Sequence, residues 1–272
     1  MPTTKPVVQI RFCVRLAMLG VLITGFGATQ LHATRYVSTS GSDTANDCAN
    51  SASPCATIQW AVDQAAVAEA VKVAAGTYSG SATEVVTRNI EDFTYSQVVF
   101  IDKALRLLGG YTEADWDTPD PTNQVTTIDA LDDGRPVTIV DTLDQSVVVD
   151  GFTLTGGDYT GWGNPVGQGY HVCRDDAEVD CGGGLFIYKS ALQLLNSVVS
   201  GNVASTGIGD GGGIYFWEPF TSTLDNVLVE GNTATEDGGG FMVARTYFPV
   251  TLLRSSFVDN IAAIGGGIEL YT

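Results

Sequence analysis

GGGLF at residues 182–186 opens a motif that recurs as GGGIY (211–215), GGGFM (238–242) and GGGIE (265–269). The triplets begin 29, 27 and 27 residues apart, and an apolar residue follows each of them. A fixed period of about 20–50 residues is typical of repeat proteins, in which each unit contacts its neighbours. Internal repetition is therefore the strongest indication of the fold in this sequence.

A second motif recurs between the triplets and completes each unit. Its columns are Leu194, Leu224 and Leu252; Val199, Val229 and Phe257; and Asn202, Asn232 and Asn260. Each unit thus holds two short β-rich runs separated by turn residues, and a single unit cannot bury its own apolar side. Stacking the units about 4.8 Å apart, the spacing of paired strands, joins the columns into one core. The pattern predicts an all-β, right-handed parallel β-helix, in which each turn of the solenoid is a rung.

The polar residues of the repeat have structural interpretations. The Asn column is expected either in left-handed turn positions or in hydrogen bonds to its counterpart one rung away. The glycine triplets permit sharp corners. A phosphate-binding loop is disfavoured because the triplets carry no lysine and lack a strand–loop–helix context. Units of this length are too short for propeller blades, and a leucine-rich repeat would need a tighter leucine spacing.

The N-terminal half lacks the repeat, and we expect residues 34–95 to form a cap and first rungs, followed by rungs over 96–272. Residues 56–70 are alanine-rich with apolar positions at helical spacing, which predicts an amphipathic helix over the open end of the solenoid. Gly76–Tyr78 is expected to be a turn. Short strands are predicted at 36–38, 71–73, 98–101, 105–108, 126–128, 137–140 and 147–149. The chain stops within a rung at residue 272, which suggests a piece of a longer protein.

The first 33 residues are typical of a secretory signal peptide. Lys5, Arg11 and Arg15 precede an apolar stretch at 16–28, which is short for a membrane span. Cleavage is expected after Ala33 or after Ala28, and an uncleaved N-terminal anchor is the alternative. No later run is long enough for a membrane helix. We therefore expect a secreted protein or one on a bacterial cell surface, including the outer membrane.

The net charge of −18 limits the classes of partner. A polyanion repels nucleic acid and anionic lipid headgroups, so neither is expected as a ligand. A partner recognised by charge would be cationic.

Four cysteines follow the signal, as two pairs seven and eight residues apart. In an exported chain this spacing predicts the disulfides Cys48–Cys55 and Cys173–Cys181. A zinc site is the alternative, but it would favour tighter cysteine pairs with histidines, and only His171 is available.

Two groups of segments resemble known β-helix proteins. Residues 36–42, the loop at 48–55, and residues 57–62, 76–78 and 150–154 resemble secreted pectate-lyase-like β-helix proteins. The GGG-apolar motif and Phe257–Asn260 resemble the GGA-I and FxxN repeats of polymorphic outer-membrane proteins. The resemblance covers nearly all of residues 34–272 and implies the fold. The members include adhesin-like surface proteins, autotransporter passengers and polysaccharide-degrading enzymes.

Catalytic candidates are weak. A glycoside hydrolase needs two positioned carboxylates, and a lyase needs a base and commonly Ca²⁺. Among many acids, Asp129 and Asp150 are the candidates, whereas the Asn-Thr-Asp, Asp-Asp and His-Gly set of polygalacturonases is absent.

No resident cofactor is predicted, and calcium is the one ion considered. Asp210 and Asp237 each precede a glycine triplet, so they would stack one rung apart and repel each other unless solvated or bridged by Ca²⁺. Solvated turn aspartates are the favoured interpretation.

Aromatic residues in the insertions are the binding candidates. The longest insertion carries Tyr159, Trp162 and Tyr170, and two later ones carry Trp217 with Phe220 and Tyr247 with Phe248. Exposed aromatic rings hold sugars or partner proteins, although such rings can also simply cover the rung edges.

These observations favour a non-catalytic, adhesin-like stalk that binds a polysaccharide or a cell-surface glycan or protein. A lyase or hydrolase acting on acidic polysaccharide is the alternative, followed by a purely structural envelope protein.

Overall fold

The computed structural model describes residues 33–80, 82–88, 91–162, 173 and 179–271, with the backbone alone for 82–88 and 91–95. The predicted signal peptide, apart from Ala33, lies outside the described residues, as do Tyr170 and His171. No helix among the residues described is both long and apolar enough to cross a bilayer.

The described chain is almost entirely β-structure. Its elements are β1 Thr34–Val37, α1 Ile58–Gln64, β2 Ala70–Ala74, β3 Gly76–Ser79, β4 Ala82–Arg88, β5 Glu91–Ile101, β6 Arg106–Tyr111, β7 Thr126–Asp129, β8 Arg135–Asp150, β9 Phe152–Thr155, β10 Asp180–Cys181, β11 Leu185–Leu195, β12 Val198–Ser200, β13 Gly209–Asp210, β14 Ile214–Trp217, β15 Ser222–Asp225, β16 Leu228–Glu230, β17 Phe241–Ala244, β18 Val250–Leu253, β19 Ser256–Val258 and β20 Ile268–Tyr271.

The strands stack in parallel on three faces of a solenoid. The triplet face follows the glycine triplets and contains the end of β5, the first halves of β8 and β11, and then β14, β17 and β20. The leucine face contains β1, β2, β6, the second halves of β8 and β11, β15 and β18. The asparagine face contains β3, β7, β9, β12, β16 and β19. This arrangement confirms the predicted parallel β-helix.

Each complete rung has three strands rather than the two expected. The extra corner lies between the Leu and Val columns, where Asn226 has a φ of 57°. Asn tolerates this left-handed conformation better than most residues, so the run breaks there into β15 and β16. The columns themselves align as predicted, with Leu194, Leu224 and Leu252 in register.

The core runs along the solenoid axis between the faces. Ile187, Phe216 and Val243 lie in it on successive rungs of the triplet face. The outward side of this face is also covered, since Phe186, Tyr215 and Met242 form a second buried cluster. The triplet face is therefore buried on both sides, which explains its continuous apolar runs.

Of the two roles expected for the Asn column, the structure shows hydrogen bonding between rungs. The side-chain amide of Asn202 donates to Oδ1 of Asn232 at 2.9 Å, and that of Asn232 donates to Oδ1 of Asn260 at 2.9 Å. The left-handed positions belong to the residues just before them, Gly201, Gly231 and Asp259.

The N-terminal end differs from its prediction in two places. The helix ends at Gln64 instead of continuing to residue 70, because Ala70 pairs with both Thr34 and Arg106 as the first residue of β2. Gly76–Ser79 is strand β3 rather than a turn, since it pairs with β7. The antiparallel hairpin of β4 and β5 was not predicted.

Both predicted disulfides are confirmed. The loop closed by Cys48 and Cys55 lies along the edge of β1. Its backbone accepts a hydrogen bond from Tyr36 N at 2.8 Å and donates one to Tyr36 O at 2.8 Å. The loop therefore occupies the edge that β1 would otherwise expose.

Candidate functional site

Two of the predicted surface aromatics are buried instead. Tyr159 is fully buried, and the guanidinium carbon of Arg135 lies 3.2 Å from the centre of its ring. Trp217 stacks beside Tyr215 with ring centres 6.3 Å apart. The prediction that these rings line the surface was wrong. Trp217 belongs to the buried cluster on the outward side of the triplet face, with Val179 and Cys181, and Tyr159 packs on Arg135.

Arg135 explains how the covering segment is held. Its Nε donates to the carbonyls of Cys181 at 3.0 Å and Gly182 at 2.7 Å, and its guanidinium also lies 4.5 Å from the ring centre of Phe186. A buried guanidinium is stabilised by such carbonyls and ring faces. This cluster is part of the packing.

Two other predicted aromatics, one from each of the later insertions, meet in a partly exposed pair. The rings of Phe220 and Phe248 stack with centres 4.7 Å apart and planes 20° apart. Phe248 is 43% exposed, and the neighbouring Tyr247 is 82% exposed. In the longest insertion, Trp162 is 37% exposed, and its ring centre lies 6.4 Å from that of Tyr159.

The repeat explains the Phe220–Phe248 stack. Ser222 pairs with Val250, so the residues two positions before them occupy equivalent places on successive rungs. The backbone N–H of Phe220 donates to Ser190 O at 3.0 Å, which fixes the position of this corner against the preceding rung. Two aromatic rings in one column stack at about the rung spacing.

A hollow of about 260 Å³ lies beside this pair, at the edge of the leucine face. Its lining includes Asp144 and Ser146 of β8 and Ala191 and Gln193 of β11. The amide of Gln193 donates to Oγ of Ser146 at 3.3 Å. We define the hollow site as this cavity together with Phe220. Its polar residues do not follow from the repeat pattern, although Gln193 and Thr223 do occupy one column.

A larger groove of about 810 Å³ runs along the other edge of the leucine face. Arg106, Asp150 and Arg254 line it, together with Asn196 and Asn226. The amide of Asn196 donates to Asp150 Oδ1 at 2.8 Å, and that of Asn226 donates to Asn196 Oδ1 at 2.9 Å.

Two further features bear on the charges in and beside the groove. Arg254 forms an ion pair with Asp225 at 2.6 Å. Burial raises the pKa of Tyr111, which also lines the groove, so its phenol stays protonated at neutral pH.

The two catalytic candidates lie apart. Asp150 lines the groove, whereas Asp129 is at the end of β7 on the asparagine face, where its Oδ1 accepts from Leu131 N at 2.9 Å. A hydrolase would need its carboxylates to flank one bond. Asp129 is not among the groove-lining residues that the structure describes.

The aspartates before the triplets are buried. Asp210 is fully buried and Asp237 nearly so, and the backbone N–H of Asp237 donates to Asp210 Oδ1 at 3.2 Å. The prediction of solvated turn aspartates was wrong, because Asp210 lies in β13, which pairs with β10, and Asp237 bridges to Ile264 on the following rung. Among the residues described, no three His, Cys, Asp or Glu side chains lie together as a metal site would require.

Comparison with known proteins gives the family and little beyond it. One solved structure, titled "Rhamnogalacturonan lyase", is 15% identical over 77% of this chain and 72% of that chain, with a TM-score of 0.23, too low to carry an argument. A search of curated proteins found no match. The family described as "Protein of unknown function (DUF1565)" matches residues 39–261, and the chain belongs to it.

Proposed function

We propose that this protein is an exported β-helix that binds glycan without cleaving it, through the hollow site and the Phe220–Phe248 pair. The observation that carries the proposal is the stacked, partly exposed pair beside a cavity with polar lining. Aromatic faces with a few placed polar groups are typical of sites that hold a sugar ring.

The proposed location is outside the cell, either secreted or on a bacterial surface. Two disulfides support it, since such bonds persist in oxidising compartments. The proposed role is adhesin-like, because the solenoid would present the site on its side to a partner outside the cell.

Binding to a glycan array by the purified chain tests the proposal. We expect Phe220→Ala and Phe248→Ala to reduce binding at least tenfold, because each removes one ring of the stack. Trp162→Ala is the matched control, since it removes an aromatic ring of similar exposure from the other insertion. Equal losses in all three variants, or none, would contradict the proposed site.

A lyase or hydrolase is the second candidate, and the groove is the observation that favours it. Arg106 and Arg254 lie there with Asp150, so cations and a carboxylate line one depression. Turnover is measured on the same sample with and without Ca²⁺, from the absorbance of 4,5-unsaturated products and from reducing ends. Activity that Asp150→Asn abolishes would replace binding with catalysis as the function.

A further inference from the structure

We propose that the hollow site selects a single pyranose ring that carries a free amino group, and rejects a uronate. This inference rests on the proposed function and adds the chemical class of sugar. It is carried by the direction of the Phe220 ring, the size of the cavity and the charges around it.

Phe248 covers one face of the Phe220 ring, and the ring also lines the hollow. Phe248 stacks on it from the following rung, so the opposite face is directed along the solenoid axis toward the preceding rung. Ala191 lies on that preceding rung and contributes to the lining of the hollow. A sugar ring in the hollow would therefore stack on the open face of Phe220.

The size of the cavity limits the ligand to about one ring. Its volume of about 260 Å³ is below the roughly 300–1,000 Å³ of pockets that enclose drug-sized ligands. A longer chain would therefore leave its other sugars outside, so the site would read a terminal ring or a branch.

Polar groups lie beside the ring position. Asp144 and Ser146 belong to β8, and Gln193 and Thr223 lie side by side on β11 and β15. The bond from Gln193 to Ser146 orients the amide before any ligand arrives. Hydroxyl and amide groups of this kind bind the equatorial hydroxyls of a sugar from one side.

The charges decide between sugars of similar shape. Asp144 is exposed and is the one charged residue in the lining of the hollow, among the residues described. The whole chain carries a net charge of −18. Both terms repel a uronate and attract an ammonium group. An acidic sugar would find arginines only in the separate groove, at Arg106 and Arg254.

Isothermal titration of the purified chain with three probes tests the inference. The probes are the trimers of glucosamine, of N-acetylglucosamine and of galacturonate. We expect the glucosamine trimer to bind most tightly and the galacturonate trimer not to compete. Asp144→Asn should weaken the glucosamine trimer about fivefold and leave the N-acetylglucosamine trimer unchanged, because only the former carries a charge. Asp225→Asn, which removes a carboxylate at the groove instead, is the matched control.

The outcomes separate this inference from the function on which it rests. Binding of a glycan that requires Phe220 but ignores Asp144, or that favours galacturonate, would overturn the amino-sugar assignment and leave glycan binding intact. Absence of binding by every glycan tested would overturn both.

Discussion

Asn232 is the buried central member of a row of hydrogen-bonded amides, and its contacts allow a prediction for a single residue. Its Oδ1 accepts from the backbone N–H of Asn202 at 3.0 Å, and its Nδ2 donates to Val199 O at 2.9 Å. We expect Asn232→Ala to lower the free energy of unfolding by about 3 kcal/mol, because buried donors on the adjacent rung lose their acceptor. Urea denaturation measures the change.

Asn226→Gly is the control for that experiment. Asn226 is exposed, and its φ of 57° is one that glycine adopts readily. Its side chain bonds only Asn196 among the residues described. A loss of less than about 1 kcal/mol is expected. If both variants lost the same stability, burial of the amide row would not be what stabilises it.

At the scale of the element, the glycines of a triplet have different roles: the first has a left-handed φ of 61–68°, whereas the third, as at Gly213, is required for space. A Cβ atom on Gly213 would lie 2.6 Å from Gly240 O, although Gly213 has no left-handed φ. We therefore expect Gly213→Ala to cost about 3 kcal/mol through overpacking, measured as a fall in the urea midpoint.

Gly231 provides the comparison, because its φ is +62° and no atom lies within 4 Å of an added Cβ. Gly231→Ala should cost only about 1 kcal/mol, from backbone strain alone. A larger loss at Gly231 than at Gly213 would mean that conformation, rather than close stacking, requires glycine in these corners.

The elements also show which features the sequence can predict. The columns of Leu224 and Asn232 repeat without gaps, so register and core follow from the pattern alone. The burial of Tyr159 and Asp210 does not, because it depends on contacts outside the repeated columns, with Arg135 for Tyr159 and with β10 for Asp210.

The hollow site was missed for a related reason. Asp144 and Ser146 come from a β8 corner whose register against β11 shifts between Ser190 and Ala191, so a periodic reading does not align them with Gln193. The Phe220–Phe248 column can be found from the sequence, because both residues belong to regular rungs.

For the whole molecule, stacking in one dimension makes stability depend on the ends. Each rung contacts its neighbours, so opening starts at an end and spreads. The Cys48–Cys55 loop covers the edge of β1, and the crosslink is worth about 2–3 kcal/mol for a loop of this length. We expect Cys48→Ala/Cys55→Ala to expose this edge while the central rungs stay folded.

Hydrogen exchange measures this difference rung by rung. Amides of β1 and of the cap loop, such as Tyr36 and Cys55, should lose protection in the double variant, whereas Ile187 in β11 should keep its own. In a solenoid each rung contacts its nearest neighbours. The loss of amide protection should therefore decline with distance from the cap. Uniform loss of protection from β1 to β17 would instead show that the solenoid unfolds as one cooperative unit, with the cap contributing to the stability of every rung.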